Sequence, residues 1–512
     1  MRELQIAFIT NPVIKRWMQI LAIIEREGTF KTVSLAERLF CSQRTLVKDL
    51  HLIKEHFGDS VAILSNNSGF HFEEQDRLLY QERKEQLLEQ DVLFEILEKI
   101  FFGEETDLDE LAHQYSYAES TLRRFLLRTQ PVLATYDLNL SFKPVTLVGE
   151  EVNLRKFFFD FYYGSEQTPQ SVRSPEGLHQ LVLQELGDQL GHYEVGTGLS
   201  IAAFYSLLYL TMVRVDQGKR VQVPQWAQDV VYQEQDFGLL VALVPRIKKE
   251  YGISLPKEEL AWLYLVLASK RTTKLLSHEE LFLARFNQWP EANRLAADYF
   301  SSSTFDSWDR PLLETFLASF FASRRLNDIL WPIWNKQQIE VVQIIKQQAT
   351  YEKNKAFLLH HRVDKCFTTH FFEDIVVSFT LFSDLLLHSH QPKKTVLFLI
   401  EGDSMVVQSI RLQAQRQLGE QYHLIFPGLH ELTEARLKSE KTDLVVTNYR
   451  PYLFEYAIKE DYVLLNTIPN PKDWDRVKHL LNPLLEDNKE NEKLNRSSDL
   501  YGYKGDQSSK RS

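Results

Sequence analysis

The chain has 512 residues, 44% hydrophobic and 25% charged, which is ordinary globular composition with room for roughly three to five domains. Its 59 basic and 70 acidic residues give a net charge of −11, which excludes a molecule basic all over while leaving room for a local basic face. Two distant cysteines, Cys41 and Cys366, exclude a disulfide scaffold and any CxxC metal site.

The first helix is predicted over 15–28. Trp17, Ile20, Leu21 and Ile24 share one face at i, i+3, i+4, i+7 spacing, and Gly28 stops it. Ser34, with Glu37 three residues later, reads as a capping box that opens a short helix over 34–40. A third helix follows in CSQRTLVKDLHLIKEHFG. Ser42 caps it, Leu46, Leu50, Ile53 and Phe57 form its buried stripe, and Gly58 ends it. VAILSNNSGFHF then reads as two strands around the turn at 66–69. Three helices and a hairpin over 13–73 make a winged helix-turn-helix.

The same order returns 76 positions later. Leu35-Ala36 aligns with Leu111-Ala112, Thr45-Leu46 with Thr121-Leu122, and Leu50 with Leu126. The helix DVLFEILEKIFFG precedes, Asp107 or Asp109 starts the short helix, and LNLSFKPVTLVG is the hairpin. A second winged unit is therefore expected over 93–155, joined to the first by a charged linker helix within 74–92.

In such units the third helix enters the major groove. The outward candidates in the first are Ser42, Gln43, Arg44, Thr45 and Lys48, tempered by Asp49 and Glu55. In the second they are Ser120, Thr121, Arg123, Arg124 and Arg128, with Lys143 in the wing. Arg suits guanine O6/N7, Gln suits adenine N6/N7, and Lys and Ser suit phosphates. Double-stranded DNA is the expected partner.

From 156 to 392 the pattern is mostly helical, in two blocks dividing near Pro290 that read as a degenerate repeat. Segments such as LRKFFFDFYYG, KEELAWLYLVLASKR and EDIVVSFTLFSDLLLHSH carry broad apolar faces, and their dense aromatics read as core. The longest apolar run, 199–213, is broken by Ser206 and Thr211 and falls short of the roughly 18 residues a membrane span requires. With no signal pattern at the start, a cytoplasmic address and no membrane partner are expected. Strands and helices alternate over 393–487, which favours a parallel sheet. Residues 488–512 read as a disordered, solvated tail.

This order of parts, with the junction LVGEEVNLRKFFFDFYY at 147–163, resembles the Mga/AtxA-type transcriptional regulators of Gram-positive bacteria. The resemblance implies a mostly α multidomain chain. Two domains similar to phosphotransferase-regulation domains would lie at 156–289 and 290–392, and an α/β domain similar to enzyme IIB of the sugar phosphotransferase system at 393–487. It also implies a DNA-binding activator of virulence or adaptation genes that self-associates as a homodimer or higher oligomer, with phosphocarrier proteins of that system as further partners. The helices SIAAFYSLLYLTMVR, KEELAWLYLVLAS and EDIVVSFTLF lack the histidine such domains carry, and Val266 stands at one expected position. His192, His278, His370, His388 and His390 are the remaining candidates for phosphorylation.

No cofactor or metal is expected. His388 and His390 stand two residues apart and do not share a helix face, and neither they nor His360-His361 sit in a ligand frame of recognised spacing. A thiol-type enzyme IIB needs a cysteine after its first strand, where this chain has Glu401-Gly402-Asp403-Ser404. No catalytic residue is assigned, although Ser404 at a helix start is a candidate anion contact. The alternatives are a phosphocarrier enzyme, which lacks its reactive residue, and an RNA antiterminator, whose small β-rich N-terminal domain is replaced here by winged units.

Overall fold

The computed structural model describes residues 2–66, 69–89, 91–164, 169–186, 201–367, 369–419, 422–428 and 442–481. The chain divides into two units, Met1–His390 and Gln391–Ser512.

A single turn, α1 (Glu3–Ile6), precedes α2 (Pro12–Glu27). Asn11 caps α2 by accepting from the Val13 and Ile14 N–H groups at 2.9 and 3.4 Å. The short strand β1 (Thr29–Phe30) leads into α3 (Thr32–Arg38) and α4 (Gln43–Phe57). The hairpin β2 (Val61–Asn66) and β3 (Gly69–Glu74) follows. Met18, Leu21 and Ile24 of α2 are buried, as are Leu35, Leu46, Ile53 and Phe57 of the following helices.

Two local details differ from the sequence reading. The pair of strands is a three-stranded antiparallel sheet, because β1 pairs with β3 through Thr29–His71 and Phe30–Phe70. The Ser34 capping box does not form. The chain passes from β1 through an extended Lys31 directly into α3, which starts two residues earlier with no side-chain cap. Gly69 is fixed by this added strand: its φ is +141°, and a Cβ there would lie 2.5 Å from the Phe30 carbonyl oxygen.

The linker helix is α5 (Arg77–Glu89). The second unit contains α6 (Val92–Phe101), α7 (Leu108–Gln114), α8 (Glu119–Ala134) and the wing β4 (Asn139–Phe142) with β5 (Val145–Val148). The wing strands pair antiparallel, Asn139 with Val148 and Phe142 with Val145.

Next comes α9 (Glu151–Phe158), which widens into a π-helical turn over Phe159–Tyr163. Phe157, Phe158, Phe161 and Tyr162 are wholly buried and pack with Phe8, Phe101 and Tyr136. Charge also crosses this junction. Arg155, fully buried, donates to Glu151 at 2.9 Å and Glu259 at 2.6 Å. Arg214 donates to both Glu151 oxygens at 2.8 and 2.7 Å. The junction is thereby tied to the helices that carry Arg214 and Glu259.

Those helices are α10 (Glu176–Leu186), α11 (Ile201–Asp216), α12 (Gln225–Val231), α13 (Phe237–Tyr251), α14 (Lys257–Ala268) and α15 (Leu276–Phe286). They are followed by α16 (Glu291–Tyr299), α17 (Arg310–Leu330), α18 (Ile339–Ile345), α19 (Ala349–His360) and α20 (Phe372–Ser389). One continuous apolar core runs from Ile6 to Leu386. Among the described residues no helix is long and apolar enough to cross a membrane.

The C-terminal unit comprises β6 (Thr395–Leu399), α21 (Ser404–Leu418), β7 (His423–Ile425), β8 (Leu444–Thr447), α22 (Pro451–Glu455), β9 (Tyr462–Leu464) and α23 (Pro471–Leu481). Its four strands are all parallel, in the order β7-β6-β8-β9. Val396, Phe398 and Val446 pack with Ile410, Trp474 and Val477, while Leu397, Leu399 and Val445 pack with Leu453. Burial on both faces explains why these strands are continuously apolar.

Candidate nucleic-acid interface

The two helix-turn-helix elements are built alike, down to individual hydrogen bonds. Between α3 and α4 the chain reverses at Phe40, in the left-handed region at φ 50°, and the Cys41 N–H reaches the Ala36 carbonyl at 3.0 Å. Between α7 and α8 the reversal is at Ser116, φ 56°, and the Tyr117 N–H reaches the Ala112 carbonyl at 2.9 Å. Each pair of positions differs by 76, so the offset read from the sequence is also an offset in backbone geometry.

The caps of the third helices differ. Ser42 Oγ accepts from the Thr45 N–H at 3.1 Å and lies 2.8 Å from the Thr45 hydroxyl. Its counterpart Ala118 has the same extended backbone and no side-chain cap.

On α4, Ser42, Gln43, Arg44 and Lys48 are exposed and Thr45 is half-buried. On the second unit, Ser120, Arg123, Arg124, Arg128 and Lys143 are exposed and Thr121 is half-buried. Among the described residues no carboxylate forms an ion pair with any of these six cations. The Arg123 guanidinium lies 4.1 Å from the Phe142 ring centroid of the wing, and that of Arg128 lies 5.8 Å from Phe125. Arginine of helix and aromatic of wing thus form one surface.

Asp49 does not temper the first face, contrary to the sequence reading. It is buried, and its carboxylate takes the Arg16 guanidinium (Nη2 at 3.0 Å) and the Trp17 indole N–H at 3.3 Å. The hydrogen bond from Arg16 to Asp49 holds the Arg16 pKa above its ordinary value. A position four residues from Thr45 sits on the inward side once α2 supplies a cation. Glu55 is exposed, 3.9 Å from His51.

Two exposed apolar side chains escaped the sequence reading: Val47 at 53% and Leu127 at 48% exposure, each beside the cations of its helix. Their signal was present, because each falls outside its helix's buried stripe.

The family described as the "M protein trans-acting positive regulator (MGA) HTH domain" matches residues 13–69, and the Mga helix-turn-helix domain matches 76–162. Both winged units are of the Mga type. Residues of the chain align at 25% identity over 268 residues with the capsule synthesis positive regulator AcpB of Bacillus anthracis, covering 50% of the chain and 54% of AcpB. They align at 25% over 264 residues with a protein of Streptococcus pneumoniae serotype 4 that bears the name of a trans-acting regulator, covering 49% and 51%. The chain thus spans about half the length of these curated relatives.

Outside the paired winged units lie the candidate histidines. His192 lies outside the described residues. His278 is half-buried. His370 is exposed, 3.8 Å from Asp137. His388 Nδ1 lies 2.7 Å from the Asp384 carbonyl, and His390 Nε2 2.8 Å from the Thr273 carbonyl. Val266 is buried in α14. Among the described residues no three His, Cys, Asp or Glu side chains converge as metal ligands.

At the end of β6, Asp403 caps α21 by accepting from the Met405 N–H at 2.8 Å. Glu401 takes the Tyr452 hydroxyl and exchanges two 2.8 Å hydrogen bonds with Asn448 through its backbone. The helix start that sequence reading offered, through Ser404, to an anion is occupied by the chain's own carboxylate.

Proposed function

We propose that this chain is a transcriptional regulator that binds promoter DNA through both winged units and activates the genes it controls. The observation that carries this is the twice-built turn that holds exposed, unpaired cations on α4 and α8. Arg44, Arg123, Arg124 and Arg128 would read guanine edges or phosphates, Gln43 adenine, and Lys48, Ser42, Thr45, Ser120, Thr121 and Lys143 the backbone. Val47 and Leu127 would meet thymine methyl groups. Two units on one chain, doubled by self-association, reach high affinity from individually weak contacts. The name of one aligned relative, a positive regulator, favours activation.

The helical blocks at 156–289 and 290–392 would act as phosphotransferase-regulation-like sensors, and the α/β unit at 393–487 as an enzyme-IIB-like assembly domain without phosphotransfer. Glu401 and Asp403 at its strand end support the non-catalytic reading, since neither is a thiolate. A signal in the sensors would shift the balance between monomer and oligomer. Incubation with phosphorylated carrier protein tests that input, and no labelled histidine would remove it.

The DNA reading is tested by gel shift with promoter DNA beside hairpin RNA. Replacing Arg123, Arg124 and Arg128 with Ala, or Arg44 and Lys48 with Ala, should weaken DNA binding and flatten its salt dependence. The logarithmic slope should fall by about 0.9 for each phosphate that is no longer neutralised. Unchanged binding in both variants, or a preference for RNA, overturns the reading.

A further inference from the structure

Behind α8, between its C-terminal half, α1 and the start of α18, lies a cavity of about 310 Å³. That is at the lower end of the range for small-molecule pockets. Leu4, Ala7, Pro131, Val132 and Ile339 give it apolar walls. Lys336 also lines it, half-buried, with its Nζ 4.9 Å from the Tyr136 ring centroid.

Among the described residues, the Lys336 ammonium forms no hydrogen bond and no ion pair. The carboxylates around it are engaged elsewhere. Asp160 takes Lys156 at 2.6 Å and the Tyr136 hydroxyl at 3.0 Å. Asp374 accepts the Gln337 N–H at 2.7 Å. Asp160 is one of three acids on the wall; of the other two, Glu340 accepts the Glu3 N–H at 2.7 Å, and the Glu3 side chain bonds Gln343. The half-buried ammonium therefore has its hydrogen bonds free for a molecule that enters the cavity.

We propose that this cavity binds a small organic anion, with its charged group on Lys336 and its apolar body against Leu4, Pro131, Val132 and Ile339. Burial depresses the Lys336 pKa, with Asp374 opposing, and an anion would restore it. The occupant would touch both the helix that carries Arg123, Arg124 and Arg128 and the segment that leads into α18. Any effect on DNA rests on the proposed function, whereas binding itself does not.

The test uses the full chain with octanoate, butyrate and phenylacetate, each beside its uncharged alcohol, by thermal shift and titration calorimetry. At least one carboxylate should bind about tenfold tighter than its alcohol. That preference should vanish in Lys336→Met and survive in Lys336→Arg. The arginine variant separates loss of charge from loss of fold. If no carboxylate binds, or if Lys336→Met keeps the preference, the proposal is overturned.

Discussion

At the residue scale, buried charge carries the clearest consequences. Lys270 stands beside Arg324 and Lys156, its Nζ 5.7 Å from the Trp334 ring centroid. Burial and the two cations push its pKa down to about 7, against Asp160, from an ordinary lysine value of 10.5. The unfolded chain therefore holds a proton that the folded chain lacks between about pH 7 and 10.5, and stability rises with pH across that window. Lys270→Met should be more stable than the parent at neutral pH, with the gain fading toward pH 10.5. Urea midpoints at pH 7 and pH 10 check this. Glu151 behaves oppositely. Burial raises its pKa, but hydrogen bonds and charge from Arg214 and Arg155 outweigh that and hold it below the usual carboxylate value. Its contribution is present above about pH 4.5 and is lost as pH falls through the lower folded value. Arg155→Met leaves Glu259 buried beside an apolar side chain and should cost about 3–5 kcal/mol by chemical denaturation.

At the element scale, the third helices of the two winged units, α4 and α8, offer an internal control. Ser42→Ala removes the cap of α4 and should cost about 1 kcal/mol, whereas Ala118→Ser supplies a cap to α8 and should add roughly 0.5–1 kcal/mol. Amide exchange in the first turn of each helix reads both changes, and equal responses would contradict the difference in caps. Gly69→Ala forces a Cβ against the Phe30 carbonyl at a backbone angle that side chains avoid. It should cost about 2 kcal/mol and release β1 from β3, which loss of protection at the Phe30 and Phe72 amides would report. Most of this level was legible beforehand. The stripes of α2, α4 and α8 lie where helical periodicity put them, because a buried face repeats with the helix. The two-residue β1 was not, because a bridge that short has no periodicity of its own.

At the scale of the whole molecule, the N-terminal winged units share one core with the helical blocks, while the C-terminal sheet has its own. Scanning calorimetry should therefore show two transitions. A chain ending at His390 should keep the transition of the first unit within a few degrees, whereas a single shared transition would mean that the two cores unfold as one. The buried Arg155–Glu151–Arg214 network and the π turn after α9 leave no loose hinge between the second wing and the helices that follow.

The sequence alone determined the main helices and hairpins of the two winged units, the 76-residue repeat and which cations to consider on the third helices. Each of these follows from local periodicity and from residue types that the solvent or the core selects. Whether a given charge is outward is a different matter. Asp49 belongs to the same helix as Arg44 and Lys48, and only Arg16 and Trp17, brought in from α2, turned it into a buried partner. The cavity at Lys336 likewise needs α1, α8 and the segment before α18, which are remote in the chain. Pairing and enclosure are set by neighbours in space, and no window along the chain contains them.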